Sequence, residues 1–242
     1  SEMCIRDRLW RACAGILLAL AVWITATPYA VAAETNGDAD SQAQEIRQIQ
    51  DNIVSWKAGT EGEKQLLAGE LLDGAGSPGS DWYAFTIARM GEEKENQAAY
   101  LSRLQDAVEN VYADLEDSKT RYRLSDIHRM ALTAMACGGD PENFGTDPDG
   151  NPINLIRDTV WNSLWGDPGD QGINGYIWAL LTIDAKNYQE PEGAEWTRDK
   201  IISELLSRQL ADGGFGLVKT DPSDVDLTSM TLTALAPYQG QD

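Results

Sequence analysis

Few side chains in this sequence could do chemistry, and their spacing limits what that chemistry is. The chain has one histidine, His128, and Cys137 follows nine residues later. On one helix the two would stand about 13 Å apart along the axis. That is too far to share a zinc ion. The expectation is no metal and no cofactor. Asp224 and Asp226 precede an apolar run, where a carboxylate can accept hydrogen bonds from the free N–H groups of a helix start. Asp147-Pro148-Asp149-Gly150-Asn151 is as rich in oxygen as a calcium loop. The remaining ligands of an EF-hand do not follow, and a Gly/Pro turn explains it at least as well. No Gly-rich phosphate loop, nucleophile elbow or His-centred triad is present. Carboxylates are too abundant for one pair to stand out as a glycosidase acid and base.

The elements that must position these residues begin after a leader. Arg8 and Arg11 precede an apolar run from Ala12 to Ile24, followed by small residues up to Ala33. This is the order of a secretory signal, so residues 1–33 are expected to be cleaved. Ser1-Glu2-Met3-Cys4-Ile5-Arg6-Asp7-Arg8 resembles a translated sequencing-adapter end, and residues 1–8 are expected to be foreign to the natural chain. Cys4 and Cys13 leave with the signal, so Cys137 is the only mature thiol and no intrachain disulfide can form. Export without disulfides suits a bacterial secreted, extracellular or cell-wall-associated protein.

The 242 residues are 42% hydrophobic and 24% charged, enough for a core. Lys+Arg 19 against Asp+Glu 39 gives a formal charge of −20. Without residues 1–33, 16 basic side chains face 37 acidic ones, a charge of −21. Such a balance argues against nucleic acid and anionic membrane surfaces as partners. It leaves a small molecule or a protein as the expected ligand.

Beyond a polar leader, residues 34–43, the spacing is helical throughout, and the fold class is all-α. Residues 44–242 show self-similarity anchored on Asp81, Asp126, Asn174 and Asp226, at intervals of 45, 48 and 52 residues. Four residues after each anchor stand Phe85, Met130, Trp178 and Met230; six after stand Ile87, Leu132, Leu180 and Leu232. Small residues intervene at Thr86, Ala131, Ala179 and Thr231. Each segment reads as a nearly uncharged inner helix, capped by its anchor and buried on most sides. A more amphipathic outer helix precedes each one. Ile46, Ile49, Ile53 and Trp56 form the first apolar stripe; the others run through Leu101–Leu115, Ile153–Leu164 and Ile201–Leu206. Gln65 to Leu72 could add a further short helix. Outer-then-inner hairpins stack into a solenoid or a ring, and uncharged inner helices favour a closed ring.

Two motifs carry a family resemblance. Gln209-Leu210-Ala211-Asp212-Gly213-Gly214-Phe215-Gly216 resembles the Gln-x-x-Asp-Gly-Gly-Phe/Trp turn of the prenyltransferase and squalene-cyclase repeat. Asp224 to Met230, with Leu232 to Tyr238, is similar to the helix paired with that turn. Ser80 to Ala84 and Gln171 to Leu180 are similar to segments of secreted bacterial members of this terpenoid-cyclase and protein-prenyltransferase superfamily. The resemblance implies an α/α-toroid of about six outer/inner hairpins. Four are legible here, so the domain is expected to be incomplete at its C-terminal end, with further domains of the chain missing.

The resemblance also implies chemistry to be tested. Class II cyclases protonate an alkene with the middle carboxyl of Asp-x-Asp-Asp-Thr-Ala. Asp226 matches that acid and Asp224 the first carboxylate, but Leu227 stands where the third belongs. A cap role for Asp226 is favoured over an acid role. The secreted relatives include cobalamin carriers and multidomain envelope proteins, which implies cobalamin or another bulky molecule as a ligand. If the inner helices point one way, Trp82, Tyr83, His128, Tyr176, Asp224 and Asp226 converge on one mouth of the ring as a ligand site. The alternative is that these aromatics only seal helix ends. The expectation is a non-enzymatic binding module, with a cyclase-like enzyme and a structural spacer as the other readings.

Overall fold

The computed structural model describes residues 36–61 and 65–240, so the leader expected over residues 1–33 lies outside the described residues. Among the described residues the chain forms α-helices and no strand; only two isolated bridges occur, Thr146–Pro152 and Phe215–Asp224. The helices are α1 (Asn36–Glu61), α2 (Gly69–Asp73), α3 (Pro78–Met90), α4 (Lys94–Ala113), α5 (Leu115–Arg121), α6 (Leu124–Ala136), α7 (Ile173–Asp184), α8 (Arg198–Ser207) and α9 (Val225–Leu235). No described helix is long and apolar enough to cross a membrane.

The four inner segments are α3, α6, α7 and α9. They pack in chain order, α3 on α6, α6 on α7 and α7 on α9, so the chain lays down a row of four helices. Ala84, Ala131, Ala134 and Ala179 are buried along this row, where small side chains let helix axes come close. Burial follows position in the row. Leu124 and every residue from Ile127 to Met135 of α6 are buried, because α6 has a neighbour on each flank. On α9, at the end of the row, only Thr231 and Ala234 are buried.

The outer layer is uneven. α4 packs on α3 and α6, burying Tyr100, Leu104, Val108 and Val111 at helical spacing. α8 buries Ile201 and Leu205 against α7. Between them the expected helix through Ile153–Leu164 is reduced to a π-helical turn, Arg157–Trp161, which packs on α6 and α7. The first outer helix also departs from expectation. α1 begins at Asn36, inside the stretch read as a polar leader. Its stripe is largely in solvent: Ile46 is 42%, Ile49 51%, Ile53 56% and Trp56 67% exposed. α1 is turned so that Val54 and Ala58, four residues apart, face the core instead. The expected extra helix within residues 65–72 is α2, displaced to Gly69–Asp73.

None of the four anchors stands at the N-cap of its helix. Asp224 caps α9, its Oδ1 accepting the Leu227 N–H at 2.9 Å, and Asp226 lies inside the first turn. Asp126 reaches back to the Arg123 N–H at 2.9 Å from the third position of α6. Asp81 and Asn174 also lie inside α3 and α7, which start after Ser77 and Gly172. The periodicity placed these segments correctly and missed their starts, because the nearest oxygen is not always the one whose backbone leaves the helix.

Candidate functional site

The inner row brings an aromatic cluster together. Trp82 on α3 meets Trp178 on α7 with ring centroids 5.3 Å apart and planes tilted by 42°, and Phe85 meets Trp82 edge-on at 5.9 Å. α3 and α7 both flank α6, so this contact bridges helices that are second neighbours in the row. Trp82 is 37% exposed, and Phe85, Trp178 and Met230 are half-buried. Phe85, Trp178 and Met230 share the position four residues after the anchor, and Met130, at the same position on α6, is fully buried. Two tilted indoles left partly in water make a surface that can accept the apolar face of a ligand.

Beneath the row lies a polar network that sequence reasoning did not find. Asp81 is fully buried; its Oδ2 accepts Arg129 Nε at 3.0 Å, and its Oδ1 accepts the Tyr100 hydroxyl at 2.8 Å and the Gly76 N–H at 2.9 Å. Arg129 also donates to Asp126 at 2.6 Å and to the Gly76 carbonyl at 2.9 Å. Burial, then the Asp81 charge, pushes the Tyr100 hydroxyl well above its ordinary value. A buried carboxylate with this many donors is a clamp between α3 and α6, and its two charges satisfy each other. Pairing across 48 residues leaves no local signal, and Asp81 in the sequence looks like any cap.

Of the six residues expected at a shared mouth, five have partners of their own. Trp82 belongs to the aromatic cluster just described. Tyr83, half-buried, carries Lys57 Nζ 5.0 Å from its ring centre. His128 is fully buried and faces the outer layer: its Nε2 lies 3.1 Å from the Thr159 carbonyl oxygen, which requires the proton on Nε2. Nδ1 then carries a bare lone pair and has no partner among the described residues. Burial lowers the imidazole pKa to about 4. Tyr176 is buried under Trp196, at 5.3 Å, and Arg208, and donates its hydroxyl to Asp167 at 2.8 Å. Burial, then the Asp167 bond, raises its hydroxyl pKa. Asp224 and Asp226 are both exposed, an environment unlike the apolar pocket that alkene protonation calls for.

Cys137 sits buried just past the end of α6, and burial pushes its thiol up to about 11. It is therefore a packed thiol rather than a nucleophile. Among the described residues no group of three His, Cys, Asp or Glu side chains is placed to hold a metal ion. In the oxygen-rich loop, Asp147 Oδ1 accepts the N–H groups of Asp149 at 3.0 Å and Asn151 at 2.8 Å. The loop is thus a self-satisfied turn.

The Gln209–Gly216 motif has a clear physical role. Gln209 Nε2 donates to the Gly213 carbonyl at 2.9 Å, closing the turn. Gly213 has φ +90°, which favours glycine. Asp212 accepts the Gly214 N–H at 3.0 Å and the Ser223 hydroxyl at 2.6 Å, which joins the turn to the approach to α9. A side chain on Gly214 would strike Ser223. Phe215, 1% exposed, plugs the second core while its N–H donates to Thr228 Oγ1 at 3.0 Å. The motif positions α9 against α7. No protein-family model, curated protein or solved structure matches this chain. Membership of the toroid superfamily is accordingly a proposal.

Proposed function

We propose that this chain is an α/α-toroid module that is exported to a bacterial surface. It holds a bulky ligand or a protein partner on the face its inner helices share. The observation that carries the reading is the half-exposed aromatic cluster of Trp82, Phe85 and Trp178, assembled from two helices of the row. Large amphipathic rings left partly in water on a preformed surface are characteristic of recognition sites. The charge of −20 supports a neutral or cationic partner over nucleic acid.

The experiment is a titration of the protein with cyanocobalamin, read by quenching of tryptophan fluorescence and confirmed by equilibrium dialysis. Saturable binding that Trp82→Ala abolishes supports the reading. Absence of binding favours a structural spacer in a longer envelope protein. Incubation with squalene or a prenyl diphosphate is expected to leave the substrate unchanged. Turnover that Asp226→Asn abolishes would replace the binding reading with a cyclase-like enzyme.

A further inference from the structure

A cavity of 680 Å³ is lined by the end of α4, the start of α5, the Asp147 loop and the π-helical turn. Its volume falls within the range of small-molecule pockets. Leu115, Ile153 and Leu164 give it apolar walls. It shares no residue with the Trp82 cluster.

The charged groups lining it divide into those already paired and those left over. Asp158 is spent: its Oδ1 accepts Arg157 Nε at 2.6 Å and its Oδ2 accepts the Tyr112 hydroxyl at 3.2 Å. Asp147 is spent on its own loop, and the Asn151 side chain, then the Asn151 N–H, holds its carboxyl below the usual range. Two groups remain. Arg157, with its side chain 55% exposed, has two terminal nitrogens that pair with nothing among the described residues. Asp149 has a carboxylate that likewise has no partner there. The Asp158 contact fixes the guanidinium through Nε, which leaves the fork of terminal N–H groups for a second carboxylate. π-Helical turns of this kind recur at functional sites.

An unpaired guanidinium edge, an unpaired carboxylate and apolar walls in one cavity describe the complement of a small zwitterion. We propose that this cavity binds an α-amino acid with an apolar side chain. Its carboxylate lies on Arg157, its ammonium on Asp149 and its side chain against Leu115, Ile153 and Leu164. A plain anion would meet the unpaired Asp149 and a protein of charge −20, and a plain cation would leave the Arg157 fork unanswered.

Isothermal titration of the full chain with L-leucine, L-leucinamide and N-acetyl-L-leucine tests this. Leucine is expected to bind saturably, and removing either charge is expected to weaken binding about ten- to a hundredfold. Asp149→Asn, at an exposed position, should keep the melting temperature, weaken leucine and erase its advantage over N-acetyl-leucine. Arg157→Gln should erase the advantage over leucinamide. Trp82→Ala should leave leucine binding unchanged, which separates this site from the inner-face one. Failure of leucine to bind at millimolar concentration, equal binding of all three compounds, or indifference to Asp149→Asn would overturn the proposal.

Discussion

Replacing His128 by glutamine removes the only imidazole of the chain while keeping a donor for the Thr159 carbonyl, and its effect on acid stability can be worked from the structure. Burial lowers the folded-state pKa from 6.5 to about 4, with no charged neighbour contributing to the shift. Asp126 and Arg129 on the same helix pair with each other, and Asp158 on the facing turn pairs with Arg157 and Tyr112. None is free to compensate an imidazolium. Above pH 6.5 the imidazole is neutral in both the folded and the unfolded chain, and its packing contributes in full. As pH falls from 6.5 towards 4, the unfolded chain takes up a proton that the folded chain refuses, so stability declines. The slope approaches about 1.4 kcal/mol per pH unit, and the total loss reaches about 3 kcal/mol below pH 4. Urea unfolding at several pH values between about 7.5 and 4.5 should show this decline in the wild-type protein and a shallower one in His128→Gln. Carboxylates titrate in both proteins, so the difference between the two slopes isolates the imidazole. NMR titration of the single imidazole gives a second readout. A folded-state pKa near 6.5, or parallel slopes in the two proteins, would refute the reasoning.

Five other substitutions probe the parts that hold the inner row. Asp81→Ala removes the fully buried partner of Arg129, leaving it only Asp126 and the Gly76 carbonyl, and should cost about 3 kcal/mol in urea unfolding, with Tyr100→Phe costing less. Gly175→Ala would drive a methyl group into the Pro168 carbonyl, because α7 passes directly against the short turn before it. A loss of about 1–3 kcal/mol or more and a lower melting temperature are expected. Asp224→Ala removes the cap of α9 and should cost about 1 kcal/mol, while Asp226→Ala should stay within about 0.5 kcal/mol. The reverse order would return the capping role to Asp226.

Where the sequence was informative, the information was periodic. Phe85, Met130, Trp178 and Met230 recur at one position of four similar segments, and those segments are the helices that stack in chain order. The Gln209–Gly216 turn was legible for a related reason. Its residues act on atoms only a few positions away, as Gln209 does on Gly213 and Asp212 on Gly214. The stripe Ile46, Ile49, Ile53 and Trp56 misled, because apolar spacing states which face could be buried and not whether a partner is there to cover it. The candidate site was legible only in part. Trp82 was singled out, but its partners Phe85 and Trp178 were read as core, since all three have the same composition and spacing as packing residues.

The amino-acid sequence alone determined that this is a helical, acidic chain with one isolated histidine and repeated apolar segments, because those properties are local or additive along the chain. Only the tertiary structure decided which side chains answer one another. It set Asp81 on Arg129, Trp82 on Trp178 and the His128 imidazole against the Thr159 carbonyl. These pairs join residues 48, 96 and 31 positions apart, and spacing along the chain does not say which side chains meet. Their consequences, a buried charge clamp, a half-wet aromatic surface and an imidazole kept neutral, come from the burial and proximity that packing imposes.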